Sequence, residues 1–299
     1  PIRLQAGLRY DAKDISTEAV GVASQPADFR PALNKQYGSF SGSVGATYHV
    51  TTALLFRANF ASAYRTPNLA ELTSNGQHEL RYEKGDENLV PENAYEADLS
   101  MHFHEDNFTF DLAGFYNKLD NYIFIAPTGQ TTTSGIEIYQ YKQANSVLYG
   151  GEAGIHLHPQ PIKWLHFVST FSSVVGKQEN GDYLPFIPAH KLRFELRAEK
   201  EKLAFLHNSF VALNTLTAMP QNNAAPDETT TGGYTLIDIS IGGKIKVQNQ
   251  FFYLSIGANN LLDTKYIDHL STLKESGYFN PGRNISVSLK IPFALKTTY

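Results

Sequence analysis

The feature that most limits what this chain can fold into is alternation with a period of two. In the closing segment RNISVSLKIPF, Ile285, Val287, Leu289, Ile291 and Phe293 fall on one face of an extended chain, and Ser286, Ser288 and Lys290 fall on the other. The same division recurs upstream. Leu192, Phe194 and Leu196 oppose Arg193, Glu195 and Arg197, and Tyr95, Ala97, Leu99, Met101 and Phe103 oppose Glu96, Asp98, Ser100, His102 and His104. Helical periodicity is confined to short stretches between such segments, so the chain reads as all-β.

About twelve strands follow from this pattern, near 3–12, 38–49, 53–65, 94–105, 108–125, 137–158, 164–177, 190–200, 204–219, 234–247, 250–262 and 282–293. Short turns at 50–52, 106–107, 159–163, 201–203 and 248–249 alternate with long polar connections at 13–37, 66–93, 126–136, 178–189, 220–233 and 263–281. Turns at one end and long loops at the other are the plan of an antiparallel transmembrane β-barrel, with periplasmic turns and extracellular loops. A soluble sandwich or jelly roll also alternates, but it rarely sorts its connections in this way. Several segments exceed the roughly 9–11 residues a tilted strand needs to cross a bilayer, so they should project beyond it. In such a barrel Ile285, Val287, Leu289 and Ile291 would face lipid, and Ser286, Ser288 and Lys290 the lumen.

Composition removes other classes. No run of eighteen apolar residues exists, which excludes a bundle of membrane helices. Cysteine is absent, so there is no disulfide framework, thiolate metal site or cysteine nucleophile. A net charge of -4 without a lysine-arginine block gives no field for nucleic acid. Neither a Walker A loop nor an H-E-x-x-H helix is present, and no spacing of Ser, His and Asp selects a triad. The glycines of GGEAG, residues 150–154, lie inside an alternating segment and read as close packing of strands. Nothing supports an enzyme or a resident cofactor. The start, PIRLQAGLRY, is already strand-like and is expected to be the interior of a longer protein, its first strand pairing with one outside this sequence.

Between the third and fourth expected strands stands YRTPNLAELTSNGQH, residues 64–78. Thr66 is a reasonable N-cap, Pro67 suits a first helical position, and Gly76 can adopt a left-handed conformation past the end, which predicts a short helix over 67–74. Histidines supply the ligand chemistry. His102 with His104, and His156 with His158, are i,i+2 pairs beside expected periplasmic turns; that spacing suits metal ligation, and equally a polar lumen wall touching a plug. His78 and His269 lie in long loops on the expected extracellular side, where binding residues concentrate. Glu79, Glu83, Asp86, Asp263 and Asp268 are carboxylates near them.

The segments YRTPNLAEL and YEKGDENLVPENAYEADLSMHF resemble the paired boxes of TonB-dependent outer-membrane receptors, an aromatic-Arg-x-Pro box followed by an Asn-Leu-x-Pro-Glu box. FDLAGFYNKLDNYIF, SVLYGGEAGIHLHP, GANNLLDTKYIDHL and NPGRNISVSLKIPF resemble the family's next landmarks, in order. Glu87 before Asn88-Leu89, and Thr66 in place of a common Ala, are the departures, and ALKTTY follows an aromatic residue that is usually last or nearly so. The resemblance implies that residues 1–299 are the C-terminal part of a roughly 22-stranded, plugged barrel, with the N-terminal plug and first strands absent from this chain. It implies a place in the bacterial outer membrane, among lipid and lipopolysaccharide. It further implies import of a scarce metal or metal chelate, such as an iron-siderophore, haem or zinc, with energy passed by a TonB complex through the missing N-terminal region; cobalamin and oligosaccharides stay open. A passive porin or surface adhesin is the alternative. His78 falls between the boxes, where haem-importing and zinc-importing members often hold a ligand-binding histidine, and His269 is the candidate second metal ligand. Otherwise Tyr82, Tyr139 and Tyr278 would grip an organic chelate.

Overall fold

The computed structural model describes residues 1–21, 24, 29–248 and 250–293; the closing ALKTTY and part of the expected loop at 13–37 lie outside the described residues, as does Asn249 of the expected turn at 248–249. Twelve strands form an antiparallel path in which each pairs with the next one along the path: β1 (Ile2–Thr17), β2 (Leu33–His49), β3 (Leu54–Arg65), β6 (Glu92–Glu105), β7 (Phe108–Thr131), β8 (Glu137–Leu157), β9 (Leu165–Gln178), β10 (Lys191–Leu203), β11 (Leu206–Ala218), β12 (Tyr234–Val247), β13 (Gln250–Asn259) and β14 (Asn284–Lys290). These are the twelve expected segments, longer at the loop end for β1, β2 and β7 and shorter for β13 and β14. Two further strands, β4 (Asn75–His78) and β5 (Arg81–Lys84), form a hairpin inside the 66–91 connection, and β5 joins β8 in parallel register.

Register fixes which residues share a face, because residues directly opposite in an antiparallel ladder point the same way. Leu289 lies opposite Leu254, Ile256 opposite Ile241, Ile241 opposite Val211, and Leu213 opposite Leu196. The same face continues across the sheet, where Leu112 lies opposite Met101, Leu99 opposite Ala58 and Phe60 opposite Val44, and it includes Leu8 of β1. Leu8 is 80% exposed, Phe60 52%, Leu99 60% and Val287 69%. A continuous aliphatic and aromatic face of this size is stable only against hydrocarbon. The opposite face holds Arg57, Asn59, Asp98, Glu152, Arg193, Glu195, Arg197 and Asp238, and is the lumen side.

Two glycines let the sheet close up at its centre. A Cβ on Gly150 would sit 2.1 Å from the Ser173 carbonyl oxygen, and one on Gly151 2.7 Å from that of Ala113. Both neighbours are backbone, so GGEAG is a seam of close strand approach and not a ligand loop.

The small apolar core lies at the loop end, where Leu33, Leu72, Leu89 and Ile123 pack with Ile15 and Tyr141. It sits under helix α1 (Leu69–Thr73). The N-cap is Asn68, not Thr66. Its side chain accepts the Glu71 N–H at 2.8 Å, while Glu71 Oε2 accepts the Asn68 N–H at 2.8 Å. Only Asn68 has a carboxylate three residues on to complete this capping box; Thr66 instead accepts a hydrogen bond from Lys13 Nζ. Gly76 lies within β4, and the helix ends at Ser74, whose N–H bonds to the Ala70 carbonyl.

The face assignment predicts an asymmetry. Phe60→Arg, mid-strand on the lipid side, should destabilise the barrel by about 2–4 kcal/mol in bilayers. Ala61→Arg, opposite Glu96 on the lumen side, should cost little. Reversible urea unfolding in vesicles measures both, and equal losses would overturn the assignment.

Candidate functional site

The two boxes meet at one guanidinium. Arg65 ends β3 and Glu92 begins β6, and the ladder sets them directly opposite. Arg65 Nε donates to Glu92 Oε2 at 2.7 Å and Nη2 to Oε1 at 2.6 Å, a two-pronged pair, while Nη1 donates to Glu71 Oε1 at 2.9 Å. Both carboxylates are buried, and Glu92 also accepts the Ile123 N–H of β7. Arg65 therefore ties β3 to α1 and β6, and Glu92 extends the tie to β7.

The rest of the 66–91 connection is pinned beneath the helix. The Gly85 N–H donates to the Ser74 carbonyl at 2.7 Å and the Asp86 N–H to that of Glu71 at 2.9 Å. A Cβ on Gly85 would stand 2.6 Å from backbone atoms of Leu72 and Thr73, so glycine is required there. Gln143 of β8 clasps Val90 through both its carbonyl and its N–H.

This frame holds out the β4–β5 hairpin. His78 and Arg81 pair at its tip, around Glu79 in a left-handed conformation. The His78 side chain is 70% exposed, with Nδ1 3.9 Å from Glu83 Oε1. Arg81 donates to Glu83 Oε1 at 2.8 Å, and its guanidinium stands 5.2 Å from the centre of the Tyr139 ring. Tyr82 donates to Asn75 Oδ1 at 2.9 Å, and Tyr141 to Glu83 Oε2 at 3.3 Å. The parallel pairing of Glu83 with Tyr139 locks the hairpin to β8. His78, Tyr82 and Tyr139 thus share one structural unit with Arg81 and Glu83.

His269 belongs to a second unit. Its side chain is 1% exposed; Nδ1 lies 3.1 Å from Thr231 Oγ1, and Nε2 lies 3.1 Å from Glu228 Oε1 without a well-directed hydrogen bond. Lys274 Nζ donates to the same Glu228 oxygen at 3.0 Å, and the Phe186 N–H reaches it at 3.3 Å. Burial opposes ionisation of Glu228, but His269 and Lys274 outweigh it and bring the carboxyl from an ordinary 4.5 down to about 2. Nearby, burial likewise opposes ionisation of Asp268, and the Tyr234 hydroxyl, the Leu270 N–H and Lys191 overcome it, so its value falls. These contacts bind three loops, 179–190, 219–233 and 260–283, into a cap.

Among the described residues, no hydrogen bond, ion pair or ring contact joins His78 to His269. Tyr278 is exposed on the 260–283 loop. Asp86 and Asp263 shape turns, accepting the N–H groups of Asn88 and Arg283. At the turn end, His102 faces Asp111 at 2.6 Å and His104 faces Thr109 at 2.7 Å, while His158 and His156 face each other at 3.0 Å. Glu228, Lys274 and Arg81 escape sequence reasoning because their partners lie far along the chain or on a hairpin too short to show alternation.

A family model described as TonB dependent receptor-like, beta-barrel, matches residues 1–261. The chain belongs to the TonB-dependent receptors. Members of this family are outer-membrane β-barrel proteins of Gram-negative bacteria. Among solved structures, the copper transporter OprC superimposes with a TM-score of 0.81 at 19% identity, over 98% of this chain and 45% of that one. The FrpB iron transporter from Neisseria meningitidis gives 0.68 at 13% identity, over 96% of this chain and 42% of that one. The siderophore receptor PirA from Acinetobacter baumannii gives 0.64 at 16% identity, over 88% and 42%. The chain spans less than half the length of each, and what it shares with them at these identities is the fold.

For this receptor the Arg65 tie makes a direct prediction. Arg65→Met strands two buried carboxylates and should cost roughly 3 kcal/mol, the low end of the range for unpairing buried charge because Arg65 is partly exposed. Arg65→Lys should restore only part, since an ammonium cannot span both carboxylates. Thermal unfolding and proteolysis of the 66–91 segment would report both; wild-type resistance in Arg65→Met would refute the tie.

The loop cap predicts a pH response. The Glu228 value is depressed on folding, so its contribution is complete above about pH 4.5 and is lost as pH falls toward 2. Amide protection in 219–233, taken relative to the intrinsic exchange rate at each pH, should fall through that window, and Glu228→Gln should show low protection at every pH. A pH-independent wild type would contradict this.

Proposed function

We propose that the chain is part of the barrel wall of an outer-membrane active transporter that imports a metal chelate, with energy supplied through TonB. The observation that supports this most is the tied frame at the loop end. Arg65, Glu71 and Glu92 fix the root of the hairpin, so His78, Tyr82 and Tyr139 are presented at a set position at the mouth. A passive pore has no need of a preorganised surface there. Preorganisation serves binding, because the cost of ordering the loop has been met before the cargo arrives.

Residues 1–299 fit the C-terminal part of a plugged barrel. Among the described residues β1 pairs only with β2, and β14 only with β13. Open sheet edges are not tolerated in hydrocarbon, which favours further strands of the same receptor on both sides.

The geometry favours a chelate over a bare ion. His269 turns both nitrogens toward Thr231 and Glu228, which leaves His78 as the exposed loop imidazole of the proposed pair. One imidazole does not make a selective zinc site. It can serve as an axial ligand to haem iron, or flank a siderophore held by Arg81 and the rings of Tyr82, Tyr139 and Tyr278. Arg81 and the aromatic rings suit a planar, anionic organic shell.

Tyr139→Ala should weaken binding of the chelate by roughly tenfold, the loss of one aromatic anchor. His78→Ala should lower haem uptake while sparing siderophore uptake. Offering a ferric siderophore, haem and zinc separately to cells, with and without a working TonB complex, tests the reading. Uptake that persists without TonB would establish the porin alternative, and uptake unchanged in both variants would remove the hairpin from the binding site.

A further inference from the structure

At the opposite, turn end of the sheet, three imidazoles from two strands converge on the lumen face. His156 lies near the end of β8, His158 just past it, and His166 at the start of β9. One ring nitrogen from each lies within 4.8 Å of the other two. His158 Nε2 and His156 Nδ1 are 3.0 Å apart, and the centres of the His158 and His166 rings are 5.1 Å apart. Register sets them inward: His156 opposes Val168 on one side and Thr109 on the other, and His166 opposes Arg197, all on the lumen face.

We propose that His156, His158 and His166 form a binding site for a borderline-soft divalent transition-metal ion on the periplasmic rim of the lumen. Bonds of about 2.0–2.1 Å to a tetrahedral ion place ligand nitrogens about 3.3 Å apart. His158 Nε2 and His156 Nδ1, 3.0 Å apart, are within a few tenths of an ångström of that spacing, and the nitrogen of His166 lies within 4.8 Å of the other two. Imidazole donors select Zn²⁺, Cu²⁺, Ni²⁺ or Co²⁺ over Mg²⁺ and Ca²⁺. Three protein ligands leave a fourth position for water or another donor, which makes the ion exchangeable.

The neighbouring histidines set the site apart from a generally polar rim. His102 is engaged by Asp111 and His104 by Thr109, so each faces a strand neighbour, whereas the other three face one another. A cation released inside the barrel would meet this triangle before reaching the periplasm. That role rests on the import reading; the binding itself rests on the three rings alone.

Titration of the full-length receptor in detergent with Co²⁺ alone tests the site, since visible absorption reports nitrogen ligation. Wild type should bind one ion at this site. His156→Gln and His158→Gln should each weaken binding by more than the roughly 10–100-fold that follows loss of a ligand's outer-shell partner. His158→Gln keeps the ladder intact, because the backbone N–H of residue 158 still donates to the Asn107 carbonyl. Heat-modified gel migration checks folding. His102→Gln should bind as wild type does. No absorption band in wild type, binding unchanged in both triangle variants, or equal loss in His102→Gln would overturn the assignment. Each of these would leave the hairpin reading standing, whereas failure of the hairpin variants with Co²⁺ binding intact would leave this site standing.

Discussion

Hydrocarbon offers no hydrogen bonds to an unpaired peptide group, and every other property of this sheet follows from that constraint. Each strand on the path is hydrogen-bonded to the next. Strict pairing in turn fixes side-chain direction. A slip of one residue would send Arg193, Glu195 and Arg197 into lipid and Leu192, Phe194 and Leu196 into the lumen, so the charge pattern and the ladder enforce the same register. The glycine seam at Gly150 and Gly151 is the local price of bringing three strands close enough to bond.

Outside the membrane the same backbone groups are free to bond with water, and order there has to come from side chains. At the loop end it comes from charge held in small apolar surroundings. Arg65 between Glu71 and Glu92, and Glu228 between His269 and Lys274, each convert a long connection into a fixed object. Both ties are made between elements distant in sequence. Each ties together parts of the chain that no local preference would bring together.

Most of the fold was legible in the sequence because period-two alternation over ten or more residues has no competing explanation. The β4–β5 hairpin was not legible: four residues per strand give two alternations, indistinguishable from a polar loop. The pattern of residues 67–74 is enough to expect the helix but not its cap: Pro67 makes Thr66 look like the N-cap, whereas the deciding residue is Glu71, three beyond Asn68. The proposed loop histidines were visible as residue types in the right connections. Burial of His269 against Glu228 was not, since 41 positions separate them and only the folded loops bring them together. His166 escaped for a related reason. A lone histidine opening a strand means little until the register shows which residues of β8 lie beside it.

The hairpin tip stands apart from the frame that supports it. Arg65, Glu71, Gly85 and Glu92 hold the root, while Glu79 and Leu80 project between His78 and Arg81, with Leu80 exposed. Exchange of tip residues changes what an arriving molecule touches and leaves the anchoring charges in place. Inheritance is thereby divided into a slow part and a fast part. A lineage can drift at the tip without first crossing a valley of unfolded intermediates.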